Sequence, residues 1–169
     1  MNYNPKIHHR CSIRLNNYDY SQNGLYFITI CVHNRECLLG NIEQAKLKVN
    51  NCGEIVKNTW FDLTNHNDNI YQHAFIVMPN HIHGIIELNS DSKKNQNNFS
   101  KPLSEIVRQL KTFSAKRINQ LRKTTGMPVW QRSYYEHIIR SEKSYNQISE
   151  YIIHNQATWN DDKYYIAPL

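Results

Sequence analysis

The most informative segment of the chain reads Met78-Pro79-Asn80-His81-Ile82-His83-Gly84-Ile85-Ile86-Glu87-Leu88. Its β-branched composition predicts a strand over residues 81–88, and the Pro-Asn pair predicts a tight turn after a strand over 73–78. Side chains alternate between the two faces of a strand, so His81 and His83 should point the same way. Two imidazoles on one face supply half of a metal site. A histidine pair of this spacing can also serve only as hydrogen-bonding groups, so the segment alone leaves both interpretations open.

Hydrophobic periodicity on either side of this segment predicts the remaining elements. They are a strand over 25–32, a weak helix or strand over 43–47, helices over 52–66 and from 102 to near 126, a strand over 129–140, and a helix from 142 to about 159. The order of the main elements is β-α-β-β-α-β followed by a helix. This order predicts an α+β, ferredoxin-like fold, in which an antiparallel sheet carries an added C-terminal helix. The topology serves many functions and does not by itself predict one.

Length and composition indicate a single domain over residues 1–169, with a basic N-terminal segment 1–22 and a flexible, polar loop 89–100. The formal net charge of +6 and the pI of about 9.1 favour a polyanionic partner, although proteins without one also reach such values. The apolar runs are too short to cross a membrane. The four cysteines show no C-x-x-C spacing, so we expect reduced thiols and a cytoplasmic location.

The predicted last helix carries a second group of polar side chains. Tyr151 and Asn155 are spaced i and i+4, so they lie one above the other at the edge of the apolar stripe. If this helix packs beside the histidine strand, a phenol and an amide carbonyl face the imidazoles. The alternative is that Tyr151 only packs, with its hydroxyl at the surface. The apolar stripe itself comprises Tyr145, Ile148, Ile152 and Trp159.

Several segments together resemble the HUH single-tyrosine transposases, in which U is an apolar residue. Within that family the chain is most similar to the REP-associated tyrosine transposases and their insertion-sequence relatives. The strand from Met78 to Ile86 resembles the HUH strand. The other matching segments, in the order of the family, are His8-His9-Arg10 with Ser12-Ile13-Arg14-Leu15 and Tyr18-Asp19-Tyr20, then Trp130-Gln131-Arg132-Ser133-Tyr134-Tyr135-Glu136-His137-Ile138-Ile139-Arg140, and finally Tyr151-Ile152-Ile153-His154-Asn155 with Trp159.

The resemblance implies a metal-dependent transposase that cleaves and rejoins single-stranded DNA through a 5′-phosphotyrosine. It implies that His81 and His83 bind a divalent metal, Mg²⁺ or Mn²⁺, with Asn155 as a third ligand and Tyr151 as the nucleophile. Zn²⁺ could also occupy such a site. Gln156 departs from the family, because many relatives have proline directly after the asparagine.

The same resemblance implies single-stranded or hairpin DNA as the partner. Arg10, Arg14, Arg132 and Arg140 lie in the matching segments and are candidate phosphate contacts. Lys111 is a further candidate from the basic helix, where a merely solvated face is the alternative. Two other functions stay open, a host-retained protein that binds hairpin DNA without transposition and a small metallohydrolase. The sequence leaves open whether the protein is a monomer or a homodimer.

Overall fold

The structure is a computed structural model, and it describes residues 19–44, 46–89 and 101–165. Most of the predicted N-terminal segment 1–22, with Arg10 and Arg14, lies outside the described residues. The same holds for residues 90–100 of the predicted loop. The candidate phosphate contacts at Arg10 and Arg14 therefore stay predictions.

Four strands form one antiparallel sheet in the order β4-β5-β1-β6. The strands are β1 (Gly24–Cys31), β4 (Ile70–Val77), β5 (His81–Leu88) and β6 (Tyr135–Ile139). A separate hairpin pairs β2 (Gly40–Glu43) with β3 (Lys46–Val49). The helices are α1 (Asn51–His66), α2 (Leu103–Arg122) and α3 (Glu142–His154). The predicted ferredoxin-like arrangement with an added C-terminal helix is confirmed.

The main core lies between one sheet face and helices α1 and α2. The even-numbered residues of β5 face this core, and Ile82 and Ile86 are fully buried there. Between them, Gly84 leaves room for the indole of Trp60 on α1. A Cβ atom added at Gly84 would lie 2.4 Å from a ring carbon of Trp60. The Trp60 ring in turn stacks on Phe75, with ring centroids 4.3 Å apart.

Helix α3 packs on the opposite sheet face, the face of the odd-numbered residues of β5. A second, smaller apolar cluster joins them, with Phe27, Ile85, Ile139 and Ile152 buried in it. Ser141 caps the beginning of this helix, because its hydroxyl accepts a hydrogen bond from the backbone N–H of Ser144 at 3.2 Å. Helix α3 is therefore held where its polar edge reaches the histidine strand.

The largest differences between the predicted and observed elements concern three segments. The predicted strand 129–140 is wrong over its first half, because β6 begins only at Tyr135 and Trp130 makes one isolated bridge to Val32. The Trp130 indole N–H donates to the Ser114 hydroxyl on α2 at 2.9 Å, which holds this segment away from regular pairing. The predicted helix 142–159 ends at His154 and continues as a 3₁₀ turn, Asn155–Asp161. In the predicted helix or strand 43–47, Glu43 ends β2 and Lys46 begins β3, and Gln44 lies in the left-handed region at φ 51°.

Two smaller expectations concern the cysteines and membranes. Cys31, Cys37 and Cys52 are free thiols, while Cys11 lies outside the described residues. Among the residues described, no helix has both the length and the apolar character needed to cross a membrane.

Candidate active site

His81 and His83 lie side by side on β5, a strand inside the sheet between β4 and β1. Both side chains point away from the main core, and their Nε2 atoms are 2.9 Å apart. This confirms the prediction that they share one face. Both residues are fully buried, beneath the rings of Trp159 and Tyr164.

Each imidazole is oriented by a hydrogen bond at its other nitrogen. The Asn80 amide nitrogen donates to the Tyr164 carbonyl, so its Oδ1 accepts from the His81 Nδ1–H at 2.8 Å. This bond leaves the lone pair of His81 on Nε2, facing the other imidazole. The Thr29 hydroxyl bonds His83 Nδ1 at 2.8 Å from the neighbouring strand β1. Supporting bonds of this kind are typical of metal-binding histidines.

Burial keeps both imidazoles neutral. It lowers the pKa of His81 to about 4, although the nearby carboxylate of Asp162 acts in the opposite direction. Burial, with the neighbouring His81 as a smaller cause, also lowers the pKa of His83 well below its usual range. The neutral imidazole is the form that binds metals, so the pair is ready to act as ligands at neutral pH.

Tyr151 on α3 contacts the histidine pair from the side of the sheet that α3 covers. Its hydroxyl lies 3.3 Å from His83 Nε2 and 3.4 Å from a carboxylate oxygen of Asp162. Burial raises the pKa of Tyr151 to about 12, and the Asp162 carboxylate adds to the effect. The phenol is therefore protonated at neutral pH. The residue is 40 % exposed to solvent.

Asn155 lies one turn further along, with 1 % of its surface exposed. Its amide nitrogen donates to Asp162 at 3.1 Å, whereas its buried Oδ1 has no hydrogen-bond partner among the described residues. A buried acceptor left without a partner is costly, so a cation or a donor at this atom would stabilise the site. Imidazole nitrogens with carboxylate and amide oxygens are a suitable ligand set for a divalent metal ion. The residues present therefore fit such an ion.

Asp162 is a further candidate ligand that the sequence did not predict. Its carboxylate and the two histidine nitrogens lie within 4.8 Å of one another. The predicted helix to residue 159 would have carried the chain away from the sheet. The 3₁₀ turn Asn155–Asp161 instead returns it, and the acidic pair Asp161-Asp162, which begins two residues after Trp159, was the available signal.

Two cations also lie near the site and were not predicted. The Lys163 ammonium lies 5.2 Å from the ring centroid of Tyr135 and 4.8 Å from that of Tyr164. The Arg35 guanidinium approaches the Tyr164 ring at 5.6 Å. Both cations help to lower the pKa of His81, which places positive potential at the imidazoles.

Of the predicted DNA-binding residues, the structure describes Arg132, Lys111 and Arg140. Arg132 and Lys111 line a cavity of about 250 Å³ on the flank of α2. The Lys111 ammonium donates to the carbonyls of Gln131 and Arg132 at 2.7 and 2.9 Å, which uses two of its three donors. Arg140 is exposed beyond the end of β6, at the opposite end of the sheet face from His81.

Known proteins resemble the chain in sequence and in fold. The family described as "Transposase IS200 like" matches residues 22–156. An uncharacterised protein of Haemophilus influenzae is 42% identical over an alignment 178 positions long, which covers 97% of each chain. Among solved structures, a REP-associated tyrosine transposase bound to a REP hairpin is 20% identical. That match covers 84% of this chain and 72% of the other, and its TM-score of 0.57 indicates a shared fold. A putative transposase from Deinococcus radiodurans R1 is 21% identical, with 85% and 96% covered and a TM-score of 0.49.

Proposed function

Because the chain belongs to the IS200-like transposase family, we propose that it cleaves and rejoins single-stranded DNA through a covalent bond to Tyr151. The observation that carries the proposal is the 3.3 Å distance between the Tyr151 hydroxyl and His83 Nε2. The proposed nucleophile on α3 thus lies beside a buried, neutral imidazole pair. The structurally similar transposase bound to a REP hairpin supports hairpin-bearing single strands as the substrate class.

In the proposed step, the Tyr151 oxygen attacks the phosphorus of a phosphodiester. The bond between oxygen and phosphorus forms as the bond to the 3′ oxygen breaks, giving a 5′-phosphotyrosine and a free 3′-OH. The phenol must lose its proton during the attack, since its pKa of about 12 keeps it protonated beforehand. With His83 Nε2 used for the metal, the nearest acceptor is the Asp162 carboxylate, 3.4 Å from the hydroxyl, and the departing 3′ oxygen takes up a proton. A second 3′-OH can reverse the step and join two strands.

His81, His83 and Asn155 would hold a Mg²⁺ or Mn²⁺ ion, and Asp162 is placed to contribute. Such an ion would polarise the phosphate oxygens and so favour attack at phosphorus. Asn80 and Thr29 hold the two imidazoles in position for this role, through bonds of 2.8 Å each. Lys163 and Arg35 supply positive potential that attracts the phosphate backbone.

The proposal is tested by incubating the protein with a hairpin-bearing single strand and Mn²⁺. We expect a covalent protein–DNA adduct that survives denaturation, and mass spectrometry of its peptides should locate the DNA on Tyr151. An adduct on Tyr135, which is also exposed on this sheet face, would overturn the assignment of the nucleophile. Tight binding of the hairpin with no adduct at any tyrosine would favour a DNA-binding protein without transposition.

A second prediction concerns the metal ligands. His81→Ala and Asn155→Ala should each weaken Mn²⁺ binding about 10-fold or more, measured by isothermal titration calorimetry, because each removes a ligand atom. The control is Asp161→Asn, which removes the same charge as Asp162→Asn from an exposed neighbouring side chain and should leave the affinity unchanged. If Asp162→Asn weakened Mn²⁺ binding and Asn155→Ala did not, the third ligand would be Asp162.

A third prediction concerns the DNA backbone. Arg132 is exposed, and its segment joins β1 through the bond from the Gln131 N–H to the Cys31 carbonyl, next to His81. If Arg132 contacts a phosphate, Arg132→Ala should lower the slope of log affinity against log salt concentration by about 1. Lys57→Ala removes an equal charge on α1, behind the sheet, and should not change the slope. An identical slope for wild type and Arg132→Ala would exclude a backbone contact there.

A further inference from the structure

A cavity of about 660 Å³ lies on the same sheet face as the histidines, at the opposite end. It opens between the first residues of β1, the end of β6 and the beginning of α3. Leu25 and Ile139 form an apolar part of its wall, while His73, Glu87 and Tyr145 supply polar groups. Arg140, which the sequence predicted as a phosphate contact, is also part of the wall. A volume of this size is typical of small-molecule and nucleotide sites.

Three polar side chains of the cavity form one hydrogen-bonded chain. The distance from the Tyr145 hydroxyl to His73 Nδ1 is 3.1 Å, and that from His73 Nε2 to a Glu87 carboxylate oxygen is 2.9 Å. A carboxylate only accepts, so His73 donates through Nε2 and its Nδ1 accepts the Tyr145 O–H. These hydrogen bonds fix the orientation of the Glu87 carboxylate. Its second oxygen makes no hydrogen bond to the described residues, so this oxygen can accept a hydrogen bond from a ligand.

The charges of the cavity indicate which part of a nucleotide it would take. Glu87 and Glu142 are both acidic, so they repel a phosphate placed between them. A carboxylate instead accepts hydrogen bonds from the amino groups of nucleobases, as in the pairing of Glu with cytosine N4. The apolar wall of Leu25 and Ile139 suits the faces of a ring. Arg140 can meanwhile contact the phosphate of the same nucleotide.

The position of the cavity fits a single strand that also reaches Tyr151. Glu87 lies four residues after His83 on β5, so the two side chains share a face and are about 13 Å apart along the strand. Phe27 lies between the two ends, 6.3 Å from the Tyr151 ring and 6.2 Å from the Tyr135 ring, so aromatic surface adjoins the nucleophile. A few nucleotides would span this distance.

We infer that the cavity binds one unpaired nucleotide of the single-stranded substrate and selects a base that carries an amino group over thymine. This inference rests on the proposed function. Guanine, cytosine and adenine each present an exocyclic amino group to Glu87. Thymine has no amino group, and its only donor, N3–H, lies between two carbonyl oxygens that repel a carboxylate. Glu87 would thus be a specificity-determining residue separate from the metal ligands.

The test uses the full-length protein and hairpin-bearing strands in which each unpaired position near the cleavage site is changed in turn to each base. Affinity is measured by fluorescence anisotropy. We expect one position at which thymine weakens binding about 10-fold relative to the other three bases. Glu87→Gln should reduce that preference to less than about twofold, because the amide can also donate to thymine carbonyls. The matched control Glu54→Gln, an exposed carboxylate on α1, should keep the full preference.

A second measurement needs no variant. A 5-iodocytosine at the identified position should crosslink on irradiation to a peptide of wild-type protein that contains Tyr145. Crosslinks elsewhere, or equal base preferences in wild type and Glu87→Gln while the Tyr151 adduct still forms, would overturn the cavity assignment alone. Absence of both strand binding and adduct would overturn the proposed function together with this inference.

Discussion

Tyr151→Phe should reduce formation of the proposed covalent protein–DNA adduct at least about 10³-fold, to background, because it removes the oxygen proposed to attack phosphorus. The aromatic ring remains, so its edge contact with Phe27 at 6.3 Å and the packing of α3 should persist. Mn²⁺ binding and hairpin affinity should therefore stay within about twofold of wild type, measured by calorimetry and by anisotropy. The adduct itself is measured on denaturing gels.

The control for this variant is Tyr135→Phe. Tyr135 lies on the same sheet face, is 39 % exposed and also contacts Phe27. The Tyr135→Phe substitution therefore removes a similar hydroxyl close to the site. It should form the adduct at close to the wild-type rate. Persistent cleavage by Tyr151→Phe, with loss in Tyr135→Phe, would move the nucleophile to β6. Persistent cleavage by both variants would leave water as the simplest nucleophile.

Gly84→Ala should destabilise the fold by about 2 to 3 kcal/mol, the upper part of the range for overpacked cores. The new Cβ would lie 2.4 Å from the Trp60 ring, which is fully buried and stacked on Phe75 and so has little room to move. The free energy of unfolding is measured by urea titration. Gly84→Val should cost more, because it adds two further methyl groups against the same ring.

Gly24→Ala is the matched control, at the first residue of β1 in the same sheet. An added Cβ there would have its nearest neighbours 3.6 Å away, in the ring of Tyr26, which is ordinary contact. We expect its free energy of unfolding to change by less than about 0.5 kcal/mol. Equal stabilities for Gly84→Ala and Gly24→Ala would mean that α1 shifts readily and that Trp60 does not fix the distance between helix and sheet.

The residue pattern alone predicted the half of the site that lies on a strand. Alternation placed His81 and His83 on one face, and strand β5 forms at residues 81–88 as expected. Helical spacing placed Tyr151 and Asn155 at the edge of a buried stripe, and Ile152 is indeed fully buried. The residue pattern did not predict that this helix packs beside the histidine strand. The family resemblance implied that packing, and the 3.3 Å contact between Tyr151 and His83 agrees with it.

The features that the sequence did not predict depend on contacts between distant segments. Asp162 reaches the histidines only because the chain tightens into a 3₁₀ turn after His154, and no periodicity signals that change. The segment around Trp130 resembles a strand by composition, yet a bond to Ser114 on α2 holds it out of regular pairing. The need for glycine at position 84 follows from the Trp60 ring, which is 24 residues away in sequence.

The two halves of the site are attached to the molecule in different ways. Strand β5 is hydrogen-bonded through its backbone to β1 on one side and to β4 on the other, so the histidines can separate only if the whole sheet opens. Helix α3 makes its backbone hydrogen bonds within itself and contacts the sheet through side chains such as Tyr145 and Ile152. Its detachment is thus a local unfolding event that costs less than global unfolding. Mild denaturant would consequently displace Tyr151, the proposed nucleophile, before it separates the two histidines. Loss of the proposed cleavage would then precede loss of the imidazole pair.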